Sequence, residues 1–294
     1  MANRPSRKRV LSGLFAGAFG VLVVGLGGWY FTFALGVIVH LALVEFFRMA
    51  QFTGIRPATK TTLLACQILL ISSQFSGEIE SFSQLTHAVL PLSGAAICGW
   101  LILQPKTGSI ADIAASIFGL FYLGFLPSHW IRLRNLTDSQ FVSGLELFSN
   151  NSNGIFSSGM AITFFACLII VASDIGSYAI GCSFGRNPLS PISPGKTIEG
   201  ALGGFICAMI TGAIGGEILK WNYGILLGAI LGLLIAFFAL VGDLTESMLK
   251  RNAGLKDSGD AIPGHGGILD RIDSYLFTPA VVYYSLIIIL PIIR

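Results

Sequence analysis

Charged residues are scarce in this chain of 294 residues: Asp, Glu, Lys and Arg together make up 11% of it. Soluble globular proteins carry about 25%, so a soluble enzyme and a disordered chain are both excluded. The five cysteines are odd in number and include no Cys-x-x-Cys pair, so neither a disulfide framework nor a zinc site is predicted. Apolar residues are abundant instead. An apolar fraction of 53%, with 36 glycines and 22 phenylalanines, is typical of a polytopic helical membrane protein.

Stretches without any charged residue predict the membrane spans. Residues 10–44 form the first, long enough for a hairpin of two helices that turns near Gly25, Gly27 and Gly28. Seven more such stretches follow: 61–77, 81–105, 113–131, 147–173, 200–216, 221–242 and 274–293. Each is close to the roughly 20 residues that a helix needs to cross the bilayer. The sequence therefore predicts an all-α integral membrane protein with about nine transmembrane helices, eight and ten being the alternatives.

The distribution of basic residues predicts the orientation. With the N-terminus in the cytoplasm, fourteen Lys and Arg residues fall on the inside and four on the outside, namely Arg132, Arg134, Lys220 and Arg294. This bias follows the positive-inside rule. We therefore expect a bacterial inner-membrane protein with a cytoplasmic N-terminus. Residues 1–160 would supply about five scaffold spans, and residues 161–294 a catalytic region with cytoplasmic loops at 182–198 and 243–272.

Acidic and basic residues are interleaved between the last two predicted spans. Four residues share one helix face through their i, i+3, i+4 and i+7 spacing: Asp243, Glu246, Ser247 and Lys250. Asp270 and Asp273 follow at i and i+3 on the opening turn of the last span. Carboxylates on facing helix ends make a hard oxygen site that suits Mg²⁺, either one ion or two. Ion pairing among these residues without any ligand is the competing interpretation.

Other polar residues near the same membrane face complete the candidate site. Basic side chains predicted to meet phosphate groups are Lys250, Arg251, Lys256 and Arg271. Gly266 and Gly267 would let the backbone turn sharply or approach a ligand closely. A second polar face, at membrane depth, is formed by Asp174, Ser177 and Tyr178, and Lys196 and Thr197 follow it in the chain. An ionisable residue at that depth indicates function.

The run from Ser247 to Asp273 resembles the signature of phosphatidate cytidylyltransferases, also called CDP-diacylglycerol synthases. With h for an apolar residue, the signature reads S-x-h-K-R-x4-K-D-x-small-x2-h-[PG]-x-H-G-G-h-x-D-R-h-D, and every position matches. The fixed residues are Ser247, Lys250, Arg251, Lys256, Asp257, His265, Gly266, Gly267, Asp270, Arg271 and Asp273. The stretch from Asp174 to Gly200 also resembles an upstream segment of that family.

The resemblance implies an Mg²⁺-dependent reaction in which phosphatidate and CTP give CDP-diacylglycerol and pyrophosphate. It implies that Asp243, Asp270 and Asp273 bind the metal, and that His265 donates to a phosphate or orients a ligand. A purely structural role in a turn is the alternative for His265. Asp174, Lys196 and Thr197 would lie around the lipid phosphate or the nucleotide. The other residues expected to bind substrate are Ser177, Tyr178, Glu246, Ser247, Gly266 and Gly267. The expected partners are CTP, phosphatidate and the lipid bilayer, and no nucleic acid is expected. The spacing of Gly181 and Gly185 is compatible with a homodimer.

Two other functions fit parts of the pattern. An ion-coupled transporter would use Asp174 and Asp243 as intramembrane carboxylates, but it predicts interrupted helices in two related halves, and the sequence shows no such symmetry. A cytidylyltransferase acting on another lipid phosphate is harder to separate, because the surface that binds acyl chains is generic apolar helix.

Overall fold

The computed structural model describes residues 7–76, 80–137, 157–259 and 266–289, and helices dominate these ranges. The long helices are α1 Arg7–Leu26, α2 Gly28–Phe52, α3 Thr59–Phe75, α4 Glu80–Ile102, α5 Ile110–Arg134, α6 Ser158–Phe184, α7 Ile198–Ile218 and α8 Gly224–Asn252. The last segment is broken into α9 Leu269–Ile272, a 3-10 turn Asp273–Tyr275, α10 Thr278–Tyr284 and a π-helical end Ser285–Ile289. The predicted helical class is confirmed.

Five of the described helices are long and apolar enough to cross a membrane: α2, α5, α6, α7 and α8. Large apolar side chains such as Phe33 and Leu103 are exposed on the outside of the bundle, where lipid would cover them. The predicted hairpin within 10–44 is confirmed, since α1 ends at Leu26 and α2 begins at Gly28. Gly27 and Gly28 both have positive φ at this turn, a conformation that suits glycine. The total of nine spans stays a prediction.

Three predicted span boundaries are wrong, because absence of charge is a poor marker of a helix end. The stretch expected to end at residue 44 continues as α2 to Phe52. The span expected at 147–173 is the helix Ser158–Phe184, which starts later and runs past Asp174. The boundary expected after residue 160, between the scaffold spans and the catalytic region, therefore falls in the first turn of this helix. The span expected at 221–242 continues to Asn252, so the first ten residues of the loop expected at 243–272 are helical. That extension is what the i, i+3, i+4, i+7 spacing of its polar residues requires.

A small β-hairpin replaces the loop expected at 182–198. Strand β1, Pro188–Ser190, pairs antiparallel with strand β2, Ser193–Thr197. It is the one strand pair among the residues that the structure describes. The hairpin leads directly into α7, so its second strand is fixed at the end of the helical bundle.

Glycines bring α7 and α8 into backbone contact. A Cβ on Gly212 would collide with the carbonyl oxygen of Gly228, and one on Gly216 with that of Gly224. Between α6 and α7, a Cβ on Gly176 would meet the Cys207 side chain at 2.6 Å. Small residues permit this close packing of helices in a membrane. The three helices α6, α7 and α8 therefore form one tightly packed unit.

Gly181 and Gly185 do not form the free face that a homodimer would use. Gly185 follows the last residue of α6, and a Cβ on it would collide with the carbonyl oxygen of Gly181 and meet the Thr197 side chain at 2.8 Å. A Cβ on Gly181 would lie 3.6 Å from Cα of Gly200, which is an ordinary packing contact. Both glycines therefore have contacts within the chain that account for their small size, and the homodimer stays a prediction.

Candidate active site

Three carboxylates converge near the end of α8. Asp243, Glu246 and Asp273 each place an oxygen within 4.8 Å of the others. The first two lie one turn apart on α8, and Asp273 opens the 3-10 turn where the last helical segment breaks. Gly242 permits this approach, because a Cβ there would collide with the carbonyl oxygen of Asp273. The structure thus joins the predicted pair Asp243 and Asp273 and adds Glu246, which the sequence analysis had placed with the substrate.

Glu246 is the most deeply buried member of this carboxylate cluster, with 1% of its surface exposed. Its Oε2 lies 2.6 Å from Nζ of Lys250. Its Oε1 is buried and has no hydrogen-bond partner among the described residues. A buried carboxylate oxygen without a donor is costly, and a cation bound at the cluster would satisfy it.

Asp270 belongs to a different set of contacts. Its Oδ1 lies 2.7 Å from Nζ of Lys250, and its Oδ2 accepts hydrogen bonds from the backbone N–H groups of Ser258 at 3.0 Å and Gly267 at 2.8 Å. Lys250 therefore bridges Asp270 and Glu246. Asp270 is not one of the three mutually close carboxylates, but it lies beside them, because its side chain interacts with that of Glu246 and shares Lys250 with it. Its role as a metal ligand stays a prediction.

The hairpin delivers Lys196 to the carboxylate cluster. Its ammonium group forms an ion pair with Oδ2 of Asp243. Thr197, the next residue, caps α7: its Oγ1 accepts the backbone N–H of Gly200 at 3.1 Å. The end of the hairpin and the start of the helix are thus fixed together, which places Lys196 opposite Asp243.

Two further side chains hold the hairpin in place. Glu199 accepts hydrogen bonds from the backbone N–H groups of Arg186 and Asn187 and from the Asn187 amide. Arg251, at the end of α8, donates from Nε to the carbonyl oxygen of Ile192 at 3.4 Å. Its other described contact is with the carbonyl oxygen of Leu255, just beyond α8. The role of Arg251 in binding phosphate stays a prediction.

A cavity of about 560 Å³ opens beside the carboxylate cluster. Nine of the predicted site residues line it: Asp174, Ser177, Tyr178, Lys196, Thr197, Asp243, Asp270, Arg271 and Asp273. The polar face of α6 and the acidic end of α8 therefore share one space. Residues that sequence reasoning did not name, including Leu189, Phe205 and Leu240, give the cavity an apolar wall.

The remaining predicted site residues that the structure describes lie outside the cavity lining. Lys256 and Asp257 are exposed on the turn after α8, whereas Ser247 is buried in the bundle. Gly266 has a φ of 80° and, with Gly267, forms the turn that leads into α9. His265 lies outside the described residues, so its role stays a prediction.

Glu45 of α2 was not predicted to contact the acidic C-terminal segment. This side chain is 7% exposed and accepts hydrogen bonds from the backbone N–H groups of Ile268 and Leu269. The available signal was a single carboxylate at the end of a long charge-free stretch, since a buried charge inside an apolar helix needs a partner. The partners are more than 200 residues away in the sequence, so nothing local identified them.

The carboxylate cluster is electrostatically crowded. Asp243 and Asp273 carry like charges at this short distance, and the hydrogen bond from the Ser274 N–H and the ion pair of Lys196 with Asp243 act against their repulsion. A divalent cation would relieve this repulsion, and a set of carboxylate oxygens is the donor type that Mg²⁺ prefers. The residues present therefore fit a hard divalent cation.

Comparison with known proteins gives consistent matches along the whole chain. Residues 7–289 match the model of the cytidylyltransferase family. A phosphatidate cytidylyltransferase of Synechocystis sp. is 44% identical over 98% of this chain and 98% of its own length. One from Bacillus subtilis is 30% identical over 95% of this chain and 97% of its own length. A chloroplastic one from Arabidopsis thaliana is 34% identical over 94% of this chain and 72% of its own length.

These matches span both the helices that lack site residues and the acidic segment from α8 to α10. They agree with the apolar helices that mark a membrane protein and with the carboxylate cluster beside a large cavity. The chain belongs to the cytidylyltransferase family.

Proposed function

We propose that this protein is a phosphatidate cytidylyltransferase, which transfers the cytidylyl group of CTP to phosphatidate and releases pyrophosphate. The relatives named above carry this activity in their names. The structural observation that supports it most directly is the shared cavity, which unites the carboxylate cluster, two basic side chains and an apolar wall within the membrane helices. A polyanionic nucleotide and a lipid phosphate require that combination.

The reaction forms a bond between an oxygen of the lipid phosphate and the α-phosphorus of CTP. The bond from that phosphorus to the β-phosphate bridging oxygen breaks, and pyrophosphate leaves with its electron pair. Because the attacking oxygen is already anionic, the site needs no strong general base. Its task is to hold two polyanions together and to stabilise the charge on the transferring group.

Lys196 and Arg271 are the basic side chains that line the cavity, and they would attract the phosphates. Lys196 pairs with Asp243 alone among the described residues. Lys250 has a different role, because it does not line the cavity and two carboxylates, Glu246 and Asp270, hold its ammonium group. It neutralises these carboxylates and fixes their spacing. Asp174 and Tyr178 lie on the side of the cavity formed by α6, where the lipid head group would arrive from the bilayer.

Asp243, Glu246 and Asp273 would hold Mg²⁺, and Asp270 would support them through Lys250. Bound there, Mg²⁺ would supply electrophilic stabilisation of phosphate oxygens. A second cation, as the resemblance allows, would need ligands from the substrates in addition to these carboxylates.

We also propose that the cavity faces the cytoplasm at a bacterial inner membrane. CTP is a cytoplasmic solute, and the excess of basic residues lies on that side. Lys220 and Lys256 flank the two ends of α8, so they should lie on opposite sides. Single cysteines at these positions, in a variant without the five native cysteines, should react with an impermeant thiol reagent from opposite faces. Labelling of both from one face would contradict this orientation.

The activity is tested with membranes that contain the expressed protein and with CTP labelled on its α-phosphate. We expect label in the chloroform phase only when phosphatidate is present, with one pyrophosphate released for each lipid labelled. Chelation by EDTA should stop the reaction, and added Mg²⁺ should restore it. Diacylglycerol, which has no phosphate, is the negative control, and an ether-linked analogue tests the alternative lipid substrate. Failure to label any lipid phosphate would refute the proposed function.

A further inference from the structure

Glu45 lies on α2, far in sequence from the acidic segment, yet its carboxylate contacts that segment directly. Oε1 accepts the backbone N–H of Ile268 at 2.9 Å. Oε2 accepts the backbone N–H of Leu269 at 2.9 Å and lies 3.0 Å from the Ser258 hydroxyl. Among the described residues Glu45 takes part in no ion pair, so these hydrogen bonds are its contacts there.

The two backbone donors belong to the start of α9, which has no cap of its own. Ile268 occupies the capping position and offers no side-chain acceptor. The first N–H groups of a helix need an acceptor from elsewhere, and a carboxylate there is favoured by charge. Glu45 therefore supplies from α2 the cap that the local sequence lacks.

Two glycines make room for this carboxylate. A Cβ on Gly267 would collide with Oε2 of Glu45 and with the Ser258 hydroxyl. A Cβ on Gly259 would lie 2.9 Å from Oε1, and its three nearest atoms all belong to Glu45. The turn before α9 is thus shaped around the Glu45 side chain.

The contacts continue from this turn into the cavity. The Ser258 hydroxyl lies 2.9 Å from Oδ2 of Asp270 and 3.0 Å from Oε2 of Glu45, so its single proton is placed between the two carboxylates. Asp270 in turn holds Lys250, the partner of Glu246. A displacement of the turn would therefore shift Asp270 and Lys250, and through them Glu246 in the carboxylate cluster.

We propose that Glu45 is a positioning residue for this site, holding the turn before α9 so that Asp270 and Arg271 face the cavity. Glu45 does not line the cavity itself and acts through the backbone of Ile268 and Leu269. This inference rests on the proposed function, because its readout is the rate of cytidylyl transfer.

The test compares Glu45→Gln with wild type in the CTP and phosphatidate assay. The amide keeps the size of the side chain but loses one acceptor and the charge. A misplacement of about 1 Å can lower a rate about 100-fold, and we expect a fall in kcat of that order. The KM values for CTP and phosphatidate should change far less, and the unfolding midpoint in detergent should stay near that of wild type. Glu217→Gln, an exposed carboxylate on α7, is the matched control and should keep wild-type activity.

A second variant guards against a failure of Glu45→Gln to fold. Gly259→Ala leaves the carboxylate in place but pushes against it, and it should lower kcat in the same way. Its effect should disappear in a Glu45→Ala background, where the atoms it meets are gone. Either of two results would overturn the inference: a wild-type kcat in Glu45→Gln, or a loss of kcat that is matched by a loss of stability. The proposed function would still stand in both cases, provided that the wild-type protein is active. An inactive wild type would refute the proposed function and this inference with it.

Discussion

Replacing Lys250 by methionine tests how the carboxylates at the end of α8 are neutralised. The ammonium group lies 2.6 Å from Oε2 of Glu246 and 2.7 Å from Oδ1 of Asp270, and these side chains are 1% and 12% exposed. Removing one partner of a buried ion pair costs about 3–5 kcal/mol. Asp270 keeps its backbone donors, so most of the cost comes from Glu246. We expect Lys250→Met to lower the free energy of unfolding by about 3–5 kcal/mol.

The assay is equilibrium unfolding in mixed micelles in the presence of EDTA, followed by tryptophan fluorescence. Lys60→Met, at an exposed position on α3, is the matched control and should unfold like wild type. Adding Glu246→Gln to Lys250→Met should recover much of the lost stability, because the unpaired charge is then removed. Mg²⁺ should stabilise Lys250→Met more than wild type, since a ligand that binds only the folded state raises its stability. Wild-type stability of Lys250→Met in EDTA would refute this account of the ion pairs.

Three further predictions follow from the cavity and the helix contacts. Asp243→Asn should abolish incorporation of labelled CTP into lipid while the protein still inserts and folds, because it removes one anionic ligand from the carboxylate cluster; substantial activity at saturating Mg²⁺ would count against the metal assignment. Tyr178→Ala should raise the KM for phosphatidate more than that for CTP, since its exposed ring lines the α6 side of the cavity; equal changes in both values would contradict that placement. Gly212→Ile should prevent stable folding, seen as loss of a monodisperse peak in detergent, because the side chain would collide with the carbonyl oxygen of Gly228; Gly99→Ile, with no atom near its Cβ, should behave like wild type.

Much of the helical arrangement could be predicted from the sequence, because a bilayer requires long apolar helices. The errors have a common cause: a charge-free stretch shows where lipid is tolerated, not where a helix ends. Asp174 lies inside α6 and Asp243 inside α8, and both interrupted the predicted spans. The hairpin ending at Thr197 was not predicted, because three and five residues are too few to show the alternation of a strand.

The candidate site was predicted in composition but not in its pairing. Helical spacing correctly put Asp243, Glu246 and Lys250 on one face, since that relation is local. Which carboxylates meet depends on the break between α9 and α10: Asp270 lies beside Lys250 and Glu246, whereas Asp273 meets Asp243 and Glu246. Glu45 is the extreme case, because its partners become visible only when α2 and the C-terminal turn are packed together.

The glycine contacts between α7 and α8 decide which parts of the protein can open for substrate exchange. Where carbonyl oxygens face glycine Cα atoms across the interface, a slide of one helix past the other would force an isoleucine or leucine side chain against backbone. These helices therefore move as one rigid body, and α6 is tied to them by its own close contacts with α7. Any movement that exchanges CTP and pyrophosphate would then involve the shorter segments at the membrane surface. The hairpin that carries Lys196 is held there by Glu199 at its base, by one bond from Arg251 near its tip and by the ion pair of Lys196 with Asp243, so these are the contacts that such a movement would have to break.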